Sequence, residues 1–90
     1  MEGKLSLVEI RNELREVRKL NSRGIKSNLI TKYKILFAQL TPLEEIVMTN
    51  CFLLGKSYAA CGRLISYCER QVKRIAHRSI EKLNIYINNK

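Results

Sequence analysis

The sequence predicts an all-α fold, a small helical domain of about five helices, and three observations carry that expectation. Only four Gly and one Pro occur in 90 residues, too little turn chemistry for the many reversals of an all-β chain. Apolar residues recur at three- and four-residue steps along most of the length, the period of one buried helix face. Ser, Thr and Pro stand where these stretches begin and Gly where two of them end. With 46% hydrophobic residues the chain can build one core, and its length leaves no room for a second.

The elements follow in order. Over residues 5–20, Leu7, Ile10, Leu14 and Val17 form one stripe with Glu and Arg in the gaps, and Ser6 with Glu9 reads as a capping box. Asn21-Ser22-Arg23-Gly24 ends this helix, since Gly takes the left-handed conformation without a side-chain penalty. A second helix is predicted over residues 27–39, with Leu29, Ile30, Tyr33, Leu36, Phe37 and Leu40 apolar, pairing with the first as a hairpin over residues 1–40. The stripe Leu7, Ile10, Leu14 and Val17 serves either that intrachain packing or a homodimer face. Thr41-Pro42-Leu43-Glu44 starts a third helix over residues 42–53: Thr41 caps, Pro42 suits the first helical position, and Glu44 favours the positive end of the dipole. Ser57 caps a short fourth helix over residues 58–64, Ile65-Ser66-Tyr67 makes a turn, and a fifth helix runs over residues 69–87 after Cys68 or Ser66. Residues 41–90 thus form a second region, which shares one compact domain with the hairpin.

Seventeen Lys and Arg against eight Asp and Glu give a net charge of +9, which favours polyanionic partners. The excess is shared: nine cations meet four acids in residues 1–40, and eight meet four in residues 41–90, so charge alone does not locate a binding face. Cys51, Cys61 and Cys68 have no zinc spacing and read as reduced thiols of a cytoplasmic protein. His77 is the single histidine, which argues against a metal centre, a cofactor or His-based catalysis. No nucleophile, base and orienter set is present, and no small-molecule substrate is expected. The apolar runs at residues 46–48 and 51–54 fall far short of the ~20 residues that span a bilayer, so no membrane partner is expected.

Residues 55–83 carry the functional signal. Val72, Ile75, Ala76, Ser79, Ile80 and Leu83 follow one buried stripe, leaving Arg70, Lys73, Arg74, His77, Arg78 and Lys82 on the remaining surface. A short helix, a turn and a cationic helix with a packed back is the pattern of a helix-turn-helix. From Leu40, Pro42 and Glu44, through Gly55, Lys56, Ser57 and Tyr58, to Val72, Lys73, Arg78, Ser79, Ile80 and Leu83, the segment resembles region 4 of sigma-70-type factors and related small phage regulators of the ArpU and RinA type. Three positions depart from that pattern: Ala60 where an acid is usual, Ser66 where the turn has Gly, and Cys68 where a Ser or Thr caps. A left-handed Ser66 costs on the order of 1 kcal/mol more than Gly.

The resemblance implies a sequence-specific, non-catalytic regulator that binds double-stranded DNA, encoded by a phage or prophage, with RNA polymerase as a further partner. By position, Glu69, Arg70 and Arg74 would read base edges, Arg through the two acceptors of guanine and Glu through the cytosine amine. Lys56, Ser57, Tyr58, Gln71, Lys73, His77 and Arg78 would contact phosphates or the groove edge. Val72, Ile75, Ile80, Leu83, Leu64, Ile65 and Cys61 are assigned to packing. Two other readings stand beside this one: an all-α adaptor acting on the transcription machinery, and a DNA-recognition protein of phage packaging, similar to small terminase subunits. An adaptor predicts an exposed apolar patch, whereas a DNA reader predicts one cationic ridge along residues 69–82.

Overall fold

Each predicted helix forms, and their ends are set by the capping chemistry the sequence advertises. The computed structural model describes residues 6–88, and the predicted first residue of the first helix, Leu5, lies outside them. The described chain is all-α: α1 (Leu7–Ser22), α2 (Asn28–Phe37), α3 (Pro42–Met48), a π-helical turn (Thr49–Leu53), α4 (Tyr58–Ile65) and α5 (Glu69–Asn88). Ser6 with Glu9 and Thr41 with Glu44 both close reciprocal capping boxes, and Ser27 and Ser57 cap α2 and α4. Cys68 precedes α5, its carbonyl accepting from Val72 N–H while the Gln71 Oε1 accepts from its own N–H at 3.0 Å.

All five α-helices share one core. Ile10, Leu14 and Val17 of α1 are fully buried with Tyr33 and Phe37 of α2, Val47 and Met48 of α3, Cys61 of α4, and Val72 and Leu83 of α5. The radius of gyration, 12.7 Å, matches the roughly 12 Å of a single compact unit of this length, so hairpin and remainder form one body. This corrects the homodimer face: Ile10, Leu14 and Val17 have no surface left to offer, and only Leu7, at 36% exposed, keeps any. Those side chains go instead against α2, α5 and the π-turn. Between α1 and α2 the buried Tyr33 hydroxyl donates to Glu13 Oε1 at 2.6 Å, and burial beside that carboxylate pushes the phenol pKa up. Lys32 reaches the same carboxylate at 3.4 Å.

The third predicted helix is not uniform. Its last turn widens into π geometry, with Leu54 N–H bonding Thr49 O five residues back at 2.9 Å. A regular helix would lay Leu54 on the stripe of Val47 and Cys51; instead Leu54 is 60% exposed and Leu53 is buried. Gly55, at φ 71°, then reverses the chain. The carbonyls left open there are answered by α1: Asn21 Nδ2 donates to Leu53 O, and Arg18 Nη2 donates to Gly55 O at 3.1 Å.

Three residues, 66–68, join α4 to α5. Ser66 takes the left-handed conformation at φ 62°, and Tyr67 N–H closes onto Gly62 O at 2.8 Å. The approach is so close that a Cβ on Gly62 would collide with the Tyr67 carbonyl oxygen. The stripe on α5 buries Val72, Ile75, Ala76, Ser79, Ile80 and Leu83 as the spacing predicts, the Ser79 hydroxyl donating to Ile75 O at 2.7 Å. Leu64 is a correction: the short α4 turns it outward, 59% exposed, while Cys61 and Ile65 pack inward. On its other flank α5 is tied to α3 by Lys82 Nζ, 2.9 Å from the buried Glu44 carboxylate.

Two outcomes follow from these ties. Gly62→Ala should destabilise the fold by about 1–3 kcal/mol through overpacking against backbone, while Ser66→Gly should stabilise it by about 0.5–1 kcal/mol by relieving the left-handed strain; urea midpoints of the two variants moving the same way would refute this account of the turn. Burial pushes the Glu44 carboxyl up, but hydrogen bonds from Lys82 and Thr41 outweigh it and hold the pKa below the ordinary carboxylate value. A folded-state pKa below the unfolded one contributes stability that is complete above the unfolded value, near ~4.3, and is lost as pH falls through the folded value. Acid titration of stability should therefore be shallower below about pH 4.3 in Glu44→Gln than in the wild type.

Candidate nucleic-acid interface

Four residues apart and always outward, Arg70, Arg74 and Arg78 form a row on the face of α5 opposite its buried stripe. The row covers about 12 Å of helix axis, at ~1.5 Å per residue. All three are exposed, and among the described residues no acid pairs with them. Glu69, the third residue expected to read bases, lies on a flank of α5 and pairs with Lys73 at 3.3 Å. Both side chains of that pair are about half exposed, so water screens it and it is worth only a few tenths of a kcal/mol, roughly.

The remaining sequence-predicted residues divide. Gln71 supports the start of α5, since its Oε1 holds the Cys68 N–H. Ser57 is exposed, with its hydroxyl accepting from Ala60 N–H as the cap of α4. Lys56 and Tyr58 are half-buried and line a hollow of about 290 Å³ with Arg18, Ser57 and Glu69. His77 is exposed, and its Nδ1 lies 3.0 Å from Arg11 Nη2. Because a guanidinium can only donate, Nδ1 is the acceptor in that contact.

The sequence motif points to α5 alone for base contacts, yet α1 brings three arginines to the same side. Arg11, Arg15 and Arg18 sit one position after the buried Ile10, Leu14 and Val17, so they form a stripe on the shoulder of α1. Arg11 meets His77 and Arg18 shares a hollow with Glu69, so α1 runs antiparallel to the first half of α5. Arg11, Arg15 and His77 enclose a second hollow of about 200 Å³ with Phe52, Tyr58 and Ile80. Phe52 and Tyr58 belong to both hollows, which makes them the shared floor of one furrow. Burial pushes the Tyr58 phenol pKa up, with Cys51 adding and the Arg18 and Arg11 charges opposing. The one-residue offset between the apolar stripe and the arginines was the signal in the sequence for this row.

Both hollows are smaller than the ~300–1,000 Å³ of ordinary small-molecule pockets. A separate, more apolar hollow of about 460 Å³, lined by Lys32, Ile35, Leu36, Gln39 and Ile87, shares no residue with the furrow. Among the described residues, no group of three His, Cys, Asp or Glu is placed to hold a metal ion, and no helix is long and apolar enough to cross a membrane. Comparison with known proteins matches no family model, no curated protein and no solved structure.

The thiols offer a direct check on this layout. Cys51 and Cys61 are buried while Cys68, at the start of α5, is exposed. Burial, with Cys61 alongside, pushes the Cys51 thiol up to about 12, which keeps it out of the reactive thiolate form. Native protein should release one fast equivalent of thionitrobenzoate from Ellman's reagent, assigned to Cys68 by peptide mapping, and the other two only in denaturant. Fast reaction of Cys51 or Cys61 would contradict the packing of α4 on the π-turn.

Proposed function

We propose that this protein binds double-stranded DNA in a sequence-specific way, without catalysis, by laying the first half of α5 in the major groove. The observation that supports this reading best is the row Arg70, Arg74 and Arg78, exposed on the face opposite the core and without an acid partner among the described residues. A major groove about 12 Å wide admits an α-helix, and arginine bonds guanine O6 and N7 together, a contact worth roughly 1–3 kcal/mol of discrimination. The short left-handed turn after α4 leaves the start of α5 exposed at Glu69 and Arg70. In this reading Arg70 and Arg74 face bases, Arg78, Lys73 and His77 face phosphates, and Glu69 works at the groove edge. The regulatory role implied by the likeness to sigma region 4, with phage or prophage origin, a cytoplasmic site of action and contact with RNA polymerase, is the finer part of the proposal; packaging of phage DNA uses the same interface.

A protein-interaction adaptor is the second reading, and the apolar hollow at Ile35, Leu36 and Ile87 is what favours it. The cationic ridge on α5 favours DNA. Selection of bound duplexes from a random pool should yield a consensus site, and Arg74→Ala should cut the ratio of consensus to random affinity by about tenfold, equivalent to roughly 1–3 kcal/mol for one base contact. Lys73→Ala should weaken both duplexes alike. No duplex binding at low salt, or equal effects of the two variants on that ratio, would rule the reading out.

A further inference from the structure

We infer that the furrow between α1 and α5 seats the sugar-phosphate backbone of duplex DNA, with Arg11, Arg15, Arg18 and Lys56 as its phosphate ligands. This rests on the major-groove reading of α5 and extends it to a helix outside the helix-turn-helix. Three arginines converge on one side of the furrow and a lysine closes its end, while the floor is the aromatic pair Phe52 and Tyr58. Two of the three arginines are positioned in advance. Arg18 is held by the Gly55 carbonyl at 3.1 Å and Arg11 by His77 at 3.0 Å. Each of these contacts uses one of the five donors of a guanidinium, leaving the rest of the fork for phosphate oxygens. Arg15 lies between them with no acid on it among the described residues.

Spacing and size fit the same occupant. Seven residues separate Arg11 from Arg18, about 10.5 Å along the helix, the rise of roughly three nucleotides of one strand. Hollows of about 200 and 290 Å³ are small for an organic cofactor yet open enough for phosphate groups along a chain. One group opposes the inference, the Glu69 carboxylate on the far wall, and Lys73 at 3.3 Å partly offsets its charge. Glu69 therefore acts as a brake on affinity in the furrow.

The test uses the full chain and a fluorescein-labelled duplex of about two helical turns, with anisotropy titrations at KCl concentrations between about 50 and 200 mM. Arg15→Gln should lower the slope of log K against log salt by about 0.9, and Arg15→Gln with Arg18→Gln by about 1.8. Both should leave the ratio of affinities for two different sequences unchanged, whereas Arg74→Ala should change that ratio. Glu69→Gln should tighten binding severalfold at every salt concentration. Circular dichroism should match the wild type for Arg15→Gln, which removes no intrachain partner. If the wild type binds and Arg74→Ala changes discrimination while Arg15→Gln keeps the full slope, the furrow is not a phosphate seat and the major-groove reading stands. Absence of duplex binding by the wild type at the lowest salt overturns both.

Discussion

The placement of α1 depends on the carbonyls that the π-turn leaves open. Leu53 and Gly55 end a helix whose last turn has slipped out of regular hydrogen bonding, and their oxygens are taken up by Asn21 and Arg18. The Asn21 bond is part-buried and the Arg18 bond exposed, so each contributes at most about 0.5–1.5 kcal/mol, and a shift of α1 by even one residue gives up both at once. That register puts Ile10, Leu14 and Val17 into the core, and helical geometry then forces Arg11, Arg15 and Arg18 onto the adjacent shoulder. The cationic wall of the furrow is thus a by-product of how the π-turn is satisfied.

A second close approach orients the other wall. Gly62 lets the Tyr67 carbonyl pass where any side chain would collide, and Ser66 accepts a left-handed backbone to make the turn in three residues. Strain of this kind persists where the surroundings over-determine it, and here the stripe of Val72, Ile75 and Ala76 holds α5 in place. The resulting surface concentrates like charge, with a net +9 on the chain and few acids to neutralise it. Such repulsion works against the compact state, and a polyanion in the furrow relieves it. Folding and the proposed binding are therefore coupled through the same arginines.

Much of the fold was legible because it is written in local chemistry. Capping at Ser6, Thr41 and Ser57, the left-handed Gly24, and the six buried residues of α5 all follow from contacts within a few positions along the chain. What escaped depends on neighbours distant in sequence. The π-turn is stabilised by Asn21 and Arg18, 32 and 37 residues away from their acceptors, and no periodicity in residues 42–53 encodes that. Leu64 was assigned inward because eight residues of helix make too short a stripe to define its phase. Of the candidate site, the outward arginines of α5 could be read from the stripe behind them. The row on α1 could be seen as a stripe, but its placement beside His77 required knowing which helix packs there.

The acids explain why one face of α5 stands out. Its flank toward α1 carries Glu69, which pairs with Lys73, and its flank toward α3 carries Lys82, which pairs with the buried Glu44. These two pairs differ in kind: the first is exposed and weak, the second is shielded and structural. Between them Arg70, Arg74 and Arg78 form no ion pair among the described residues, and the exposed Glu81, three residues after Arg78, is the one acid on that outer face, so positive charge is in excess over the first half of the helix and points away from the core. A helix whose flanks are partly neutralised, and whose outer row stays cationic until Glu81 ends it, presents its cations along one short line. That suits entry into a groove lined on both sides by phosphates better than adhesion to a broad acidic surface, because the line can be matched base by base while the flanks stay free of excess attraction.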